Sequence, residues 1–140
     1  MTRKEQQKRE QPKAVERIDP DLQFAVLCDN VASGPGGKPV FVGVFDSFVK
    51  PGLVPQLFVV TRWVNGVGDH TIKIRVLNPE LEPIFRTPGM TIKLRDKNAR
   101  ATTRLGFQNF LFPSPGVYWF EILLNERLAL AIPVPVFEGS

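Results

Sequence analysis

Apolar and polar residues alternate most clearly in the middle of the chain. Over residues 71–76, isoleucine and valine alternate with threonine, lysine and arginine. A strand that buries one face and exposes the other needs this period of two. The same alternation recurs over residues 91–95. The sequence therefore predicts two strands, each with one buried face and one solvated face.

Short β-rich segments separated by turn residues fill the chain from Leu22 onward, and no segment keeps a 3.6-residue period for three turns. Residues 33–37 and 113–116 are rich in glycine and proline, which end strands. The predicted strands are Leu22–Val31, Pro39–Phe48, Gln56–Val64, His70–Leu77, Ile84–Phe85, Met90–Asp96, Thr102–Phe112, Val117–Leu124 and Arg127–Val136.

Eight or nine short strands without a crossover helix predict an all-β fold. We expect a single antiparallel β-sandwich over residues 21–137, with an immunoglobulin-like Greek key as the favoured topology. A closed barrel is the alternative. Residues 1–20 carry six basic and four acidic residues and have no apolar face to bury. They are expected to form a flexible, disordered tail.

The C-terminal segment carries two further signals. Asn125 and Glu126 separate two apolar runs, which predicts a two-residue hairpin. Pro133 and Pro135 lack N–H donors on the same side of the last strand, so this strand is expected to be a blocked sheet edge. One face of the strand is expected to carry Leu128, Leu130, Ile132, Val134 and Val136.

The composition excludes several classes of site and of protein. The 140 residues include one cysteine and one histidine, so a disulfide framework and a multi-histidine metal centre are excluded. No window has the apolar length of a signal sequence or a membrane span, so we expect a cytoplasmic protein. The acidic residues considered for a calcium site are Asp29, Asp46, Asp69 and Asp96. They lack the Asp-x-Asp-x-Asp spacing of an EF-hand loop, and neither a metal nor a cofactor is expected.

No catalytic constellation is recognisable, and we expect a protein that is not an enzyme. Gly37-Lys38 and Gly66-Val67-Gly68 lack the remaining residues of phosphate-binding motifs. Cys28 lies inside a predicted strand and is expected to be a small core residue. Asp29 and Asn30 are expected to form a buried polar pair that is hydrogen-bonded to the following glycine-rich loop.

A basic stretch is the best functional signal. Residues 73–104 carry eight Lys or Arg and three Asp or Glu, a net charge of +5 against +4 for the whole chain. A surface of this kind attracts an acidic protein or a nucleic acid. The alternative is a solvated face that only keeps the sheet soluble. Alternation places five candidate partner-binding residues on the polar face: Lys73, Arg75, Lys93, Arg95 and Lys97.

A second hypothesis is a small-ligand or carbohydrate site at the strand ends. Tryptophan rings stack on the apolar faces of sugars. The candidate residues are Arg62, Trp63, Tyr118 and Trp119. The phenylalanines of residues 107–112 are expected in the core, although Phe107 and Phe110 differ in parity and would face opposite sides of a regular strand. Homo-oligomerisation is left open.

The segments Cys-Asp-Asn-Val at residues 28–31 and Gly-Val-Phe-Asp at residues 43–46 carry a family resemblance. The chain from Leu22 to Val136 resembles an uncharacterised family of small bacterial proteins, a domain of unknown function. The resemblance implies a compact β-sandwich and a bacterial cytoplasmic setting. It implies no activity and no site residue.

Overall fold

The computed structural model describes residues 16–48 and 50–139. These residues form nine strands and a short 3-10 turn at Pro35–Gly37. The strands are β1 (Asp21–Ser33), β2 (Pro39–Val44), β3 (Gly52–Val64), β4 (Gly68–Leu77), β5 (Pro83–Arg86), β6 (Met90–Leu94), β7 (Ala101–Phe112), β8 (Gly116–Leu124) and β9 (Arg127–Val136).

The strands form two antiparallel sheets that pack face to face. The first sheet has the order β2-β1-β3-β7, and the second has the order β5-β4-β8-β9, with β6 also paired to β4. The predicted all-β sandwich is therefore confirmed. Each sheet keeps its own edge strands, so the two sheets do not close into a barrel. Within the described residues, no helix is long and apolar enough to cross a membrane.

The main core lies between the two sheets. Leu57, Val59 and Trp63 from β3 are fully buried against residues of β4 and β8. Five aromatic residues form the densest part, with ring centroids 4.9–6.4 Å apart. They come from β7 and β8, one strand from each sheet, and therefore join the sheets directly. They are Phe107, Phe110, Phe112, Tyr118 and Phe120.

Asn109 explains how the phenylalanines of β7 reach one core. Phe107 and Phe110 are both buried, whereas strict alternation would place them on opposite faces. Asn109 has a φ of 54°, in the left-handed region that asparagine tolerates. The register between β3 and β7 is the same on both sides of this residue, with Pro55 in the facing strand. The predicted core position of both rings is therefore confirmed, and a backbone reversal makes it possible.

The β1–β2 hairpin bends back over the outer face of the first sheet. The rings of Phe24 and Phe41 are 5.9 Å apart, although Phe41 pairs with Val31. A straight strand would separate residues 24 and 31 by about 23 Å. The bend accounts for the complete burial of Cys28 and Val60, which lie outside the main core. Burial raises the pKa of the Cys28 thiol.

The prediction for Asp29 and Asn30 is wrong. Both residues are exposed at the bend of this hairpin. The Asn30 Oδ1 atom accepts a hydrogen bond of 2.9 Å from the backbone N–H of Val31, and the glycine-rich loop is not involved. The flanking apolar residues indicated a buried pair, but the bend turns these two side chains toward solvent.

The C-terminal hairpin confirms two predictions and corrects a third. Asn125 and Glu126 connect β8 to β9 with φ values of 50° and 69°, as a type I′ turn requires. β9 is an edge strand. However, Leu128 pairs with Leu123 across a bulge and is 55% exposed. The bulge shifts the parity of the strand, so Leu128 does not share a face with the later residues of β9.

Glu126 occupies a backbone conformation that glycine adopts at lower cost. We expect Glu126→Gly to raise the free energy of unfolding by about 1 kcal/mol, because type I′ turns favour glycine at this position. Urea unfolding of both proteins would measure the change. Lys73→Gln is the control, since it removes the surface ion pair of Glu126 without altering the turn. A lower stability of Glu126→Gly would contradict the prediction.

The folded region begins before residue 21. Ile18 forms an antiparallel bridge with Val67, Pro20 is buried, and the carboxylate of Asp19 pairs with Arg127. The predicted tail boundary at residue 20 is therefore too late. Residues 1–15, which make up most of the predicted tail, lie outside the described residues.

Candidate partner-binding surface

The structure places the two basic strands of the sequence prediction side by side. β4 and β6 pair with Asp69 opposite Lys93 and Thr71 opposite Thr91. Cross-strand partners point to the same side of a sheet. Lys73, Arg75 and Lys93 therefore share the outer face of the second sheet. Arg95 and Lys97 follow β6 in the turn toward β7.

Acidic residues of the second sheet neutralise two of the five predicted cations. The Arg75 Nε atom lies 2.6 Å from the Oε1 atom of Glu121, which is largely buried. Lys73 pairs with Glu126 at the β8–β9 turn. This hydrogen bond and the charge of the ammonium group hold the pKa of Glu126 below its usual value. Lys73 and Arg75 are thus each paired with an acidic residue of the second sheet or of its β8–β9 turn.

The remaining cations continue along the chain into β7. We call Lys93, Arg95, Lys97, Arg100 and Arg104 the β6–β7 cation segment. All five are exposed, and none forms an ion pair within residues 16–48 and 50–139. Residues 93–104 contain five basic residues and one acidic residue, a net charge of +4. Lys93 lies on the outer face of the second sheet, whereas Arg104, opposite Val60, lies on the outer face of the first. The positive charge therefore follows the connection between the sheets from one outer face to the other.

The single acid of this segment shapes its turn. The Asp96 Oδ1 atom accepts a hydrogen bond of 2.8 Å from the N–H of Asn98, and the Asp96 carbonyl accepts one of 3.0 Å from Ala99. An aspartate that bonds to the backbone two residues later forms an Asx turn. Asp96 therefore fixes the backbone that presents the cations. Its presence does not remove the positive charge of the segment.

The four residues of the carbohydrate hypothesis do not form one surface. Trp63 is fully buried, and its Nε1 atom donates to the hydroxyl of Thr61 at 2.9 Å. Tyr118 is also fully buried. Arg62 lies over the ring of Phe24, 5.1 Å from its centroid, on the outer face of the first sheet. Trp119 lies on the outer face of the second sheet. Arg62 and Trp119, the two candidates that are only partly buried, are thus on opposite sides of the sandwich.

An apolar groove lies between the edges of the two sheets, with a volume of about 360 Å³. We call it the β5–β7 groove. Ile84 and Phe85 of β5 form one wall, and residues 106–111 of β7 form the other. Phe85 contacts the rings of Phe107 and Phe110, with centroids 5.0 and 5.8 Å away. The groove could not be predicted from the sequence, because its two walls are about twenty residues apart in the chain.

The only histidine of the chain, His70, is buried, and both of its ring nitrogens are hydrogen-bonded. The ring of His70 is buried, and its Nε2–H group donates to the Val67 carbonyl at 2.9 Å. The Nδ1 atom then accepts from the Nδ2 atom of Asn125 at 2.9 Å. Cys28 lies under the β1–β2 hairpin on the far side of the first sheet, so the two residues are not brought together. The described residues contain no group of three potential metal ligands.

The chain belongs to DUF6941, a family of unknown function, whose sequence model matches residues 23–137. This match confirms the expected membership of an uncharacterised family and covers all nine strands apart from the first two residues of β1. Comparison with curated proteins finds no match to the chain.

Proposed function

We propose that this protein is a non-enzymatic binding module that uses the β6–β7 cation segment to hold an acidic segment of a partner protein. The observation that carries the proposal is the set of five exposed cations without ion-pair partners in the described structure. Lys73 and Arg75 show that this sheet can neutralise its own charges. The cations of residues 93–104, which form no ion pair in the described structure, are available to a partner.

The chemistry of the segment favours a protein over a nucleic acid. Single-stranded nucleic acids are held by basic grooves that also contain aromatic rings for base stacking. Residues 93–104 contain no aromatic residue. Carboxylates need only the charge and the hydrogen-bond donors of Lys and Arg. An acidic peptide segment therefore matches the surface better.

We also propose that the sandwich has the immunoglobulin-like topology expected from the sequence. The order β1-β3-β7 in one sheet and β9-β8-β4 in the other follows the arrangement of strands A-B-E and G-F-C. The hydroxyl of Tyr118, near the start of β8, donates to the Ser114 carbonyl at 2.8 Å. That contact has the geometry of the tyrosine corner of such domains. The fold by itself supports no particular function.

The proposal predicts a selective loss of acidic-peptide binding. Lys93→Gln/Lys97→Gln should weaken binding of a fluorescein-labelled peptide of alternating glutamate and serine by about tenfold. The reason is that two exposed ion pairs at roughly 0.7 kcal/mol each amount to that factor. Fluorescence anisotropy in about 0.1 M salt, where the screening length is about 10 Å, would measure the dissociation constants.

The control variant is Lys38→Gln/Lys50→Gln, which removes the same charge from exposed positions elsewhere. It should change the affinity by less than about twofold, because screening confines the effect of a surface charge to about 10 Å at ordinary ionic strength. Equal weakening by both variants would mean that only the net charge matters. Tighter binding of a labelled oligouridylate than of the acidic peptide would overturn the choice of a protein partner.

A further inference from the structure

β7 presents an open edge. It is the last strand of the first sheet and pairs with β3 on one side. Among the described residues, no strand pairs with its other side, and no turn or loop bonds to its backbone. In an antiparallel strand, every second residue turns its N–H and C=O groups toward the open side. Ala101–Phe112 therefore carries a row of backbone donors and acceptors without protein partners.

The edge of β7 lacks the features that protect β9. β9 has Pro133 and Pro135, a bulge, and a bridge from Phe48 that bonds to the Pro135 carbonyl. Prolines, bulges and charges are the usual means of preventing a further strand from adding to an edge. β7 is twelve residues long and contains no proline. It carries one charge, Arg104, and one backbone irregularity, the reversal at Asn109. It is thus an edge that can accept another strand, and the one that borders the β5–β7 groove.

The β5–β7 groove runs beside this edge and offers apolar contacts. Ile84 is 41% exposed, Phe85 40% and Leu111 55%. Grouped exposed apolar side chains of this kind mark interaction sites. The rings of Phe107 and Phe110 pack beneath Phe85 and hold that wall in place. A strand added to β7 would point alternate side chains toward the groove.

The charged residues along β7 lie at one end of the strand. Arg100 and Arg104 of the β6–β7 cation segment lie at the start of β7, whereas the groove occupies residues 106–111. A segment that followed the whole edge would meet cations at one end and apolar side chains at the other. The matching occupant is acidic at one end and apolar at the other.

We propose that β7 accepts an extended segment of a partner protein as an added antiparallel strand. The apolar half of the segment occupies the β5–β7 groove and the acidic half contacts the β6–β7 cation segment. Because the added strand runs opposite to β7, its N-terminal half is apolar and its C-terminal half is acidic. Main-chain hydrogen bonds supply affinity and the two halves supply selectivity. The prediction that one half of the segment is acidic rests on the proposed function. The prediction that the other half occupies the groove does not depend on it.

The first test uses a fluorescein-labelled peptide with alternating valine and threonine followed by a glutamate-rich half. Leu111→Asp should weaken its binding at least tenfold, because a carboxylate replaces an apolar wall of the groove. Leu53→Asp is the matched control: Leu53 is 58% exposed, pairs with Leu111 from β3, and does not line the groove. It should change the affinity less than twofold. Equal losses in both variants would overturn the proposed site.

A second test asks whether the backbone of the peptide is used. Two versions of the peptide are N-methylated, one at odd and one at even positions. An added strand bonds to β7 through the N–H groups of alternate residues only. One version should therefore lose most of its affinity and the other should keep it. Equal binding of the two versions would overturn strand addition.

The same peptide separates this inference from the proposed function. If replacing its glutamates by glutamine changes nothing while Leu111→Asp still prevents binding, the groove is supported and the proposed function fails. If only Lys93→Gln/Lys97→Gln weakens binding, the groove is overturned and the proposed function remains. Sedimentation velocity tests the other occupant: a dimer that Leu111→Asp converts to monomers would show that a second copy pairs with β7, which overturns the inference.

Discussion

Phe112→Ala is expected to lower the free energy of unfolding by about 4 kcal/mol, which is among the largest effects of one core truncation. Phe112 is 1% exposed. Its ring lies 4.9 Å from the rings of Phe48, Phe110 and Tyr118, measured between centroids. These neighbours come from both sheets and from the segment that bridges to β9, so they cannot all move to fill the same cavity.

The measurement is equilibrium unfolding in urea, and the comparison variant is Phe112→Leu. Leucine keeps most of the volume and loses only the aromatic contacts, so we expect a cost of about 1.5 kcal/mol. A cost below about 1.5 kcal/mol for Phe112→Ala would mean that the core collapses around the missing ring. The description of Phe112 as one of the aromatic residues that join the two sheets would then be wrong.

The all-β architecture could be predicted because it depends on local patterns. Alternation located β4 and β6, turn residues located the ends of most strands, and the Asn125–Glu126 hairpin followed from two residues. Departures from regular strands could not be predicted. The reversal at Asn109 and the bulge beside Leu128 each change which face a residue occupies. Both depend on how the neighbouring strand packs. An asparagine tolerates the left-handed conformation, but its presence alone does not show that the strand reverses there.

The candidate surface was predicted in part. The sequence identified Lys93, Arg95 and Lys97, which are exposed and lack ion-pair partners in the described residues. It could not show that Lys73 and Arg75 are neutralised, because Glu126 and Glu121 lie about fifty residues further along the chain. Arg100 and Arg104 belong to the basic stretch, but alternation along β4 and β6 could not assign them to a face. The chain crosses from one sheet to the other at this point.

Tryptophan and tyrosine positions were ambiguous for a different reason. Trp63 and Tyr118 each carry a polar atom, and a buried position requires a partner for it. The structure supplies Thr61 for Trp63 and the Ser114 carbonyl for Tyr118. Both partners are close in sequence, so the local signal for burial was present. These partners alone could not show that Trp63 and Tyr118 are buried, because the sequence did not reveal which face of each strand packs against the core.

Asn125 combines a backbone role with a hydrogen-bonding role. Its φ of 50° is in the left-handed region. Its Oδ1 atom accepts from the Thr71 N–H at 2.9 Å, and its Nδ2 atom donates to the Nδ1 atom of His70 at 2.9 Å and to Asp19 at 3.3 Å. One side chain thus connects the C-terminal hairpin to β4 and to the segment before β1.

We expect Asn125→Ala to lower the free energy of unfolding by about 3 kcal/mol. Roughly 1 kcal/mol comes from placing alanine in a left-handed conformation, and about 2 kcal/mol from leaving the Nδ1 atom of His70 and the N–H of Thr71 without their partners. Asn125→Gly separates the two contributions, because glycine adopts the conformation freely and still removes the hydrogen bonds. It should cost about 2 kcal/mol in the same urea experiment. If the two variants were equally stable, the backbone conformation would contribute nothing. If Asn125→Gly matched the unmodified protein, the hydrogen bonds to His70 and Thr71 would not stabilise the fold, and the hairpin would depend on its turn alone.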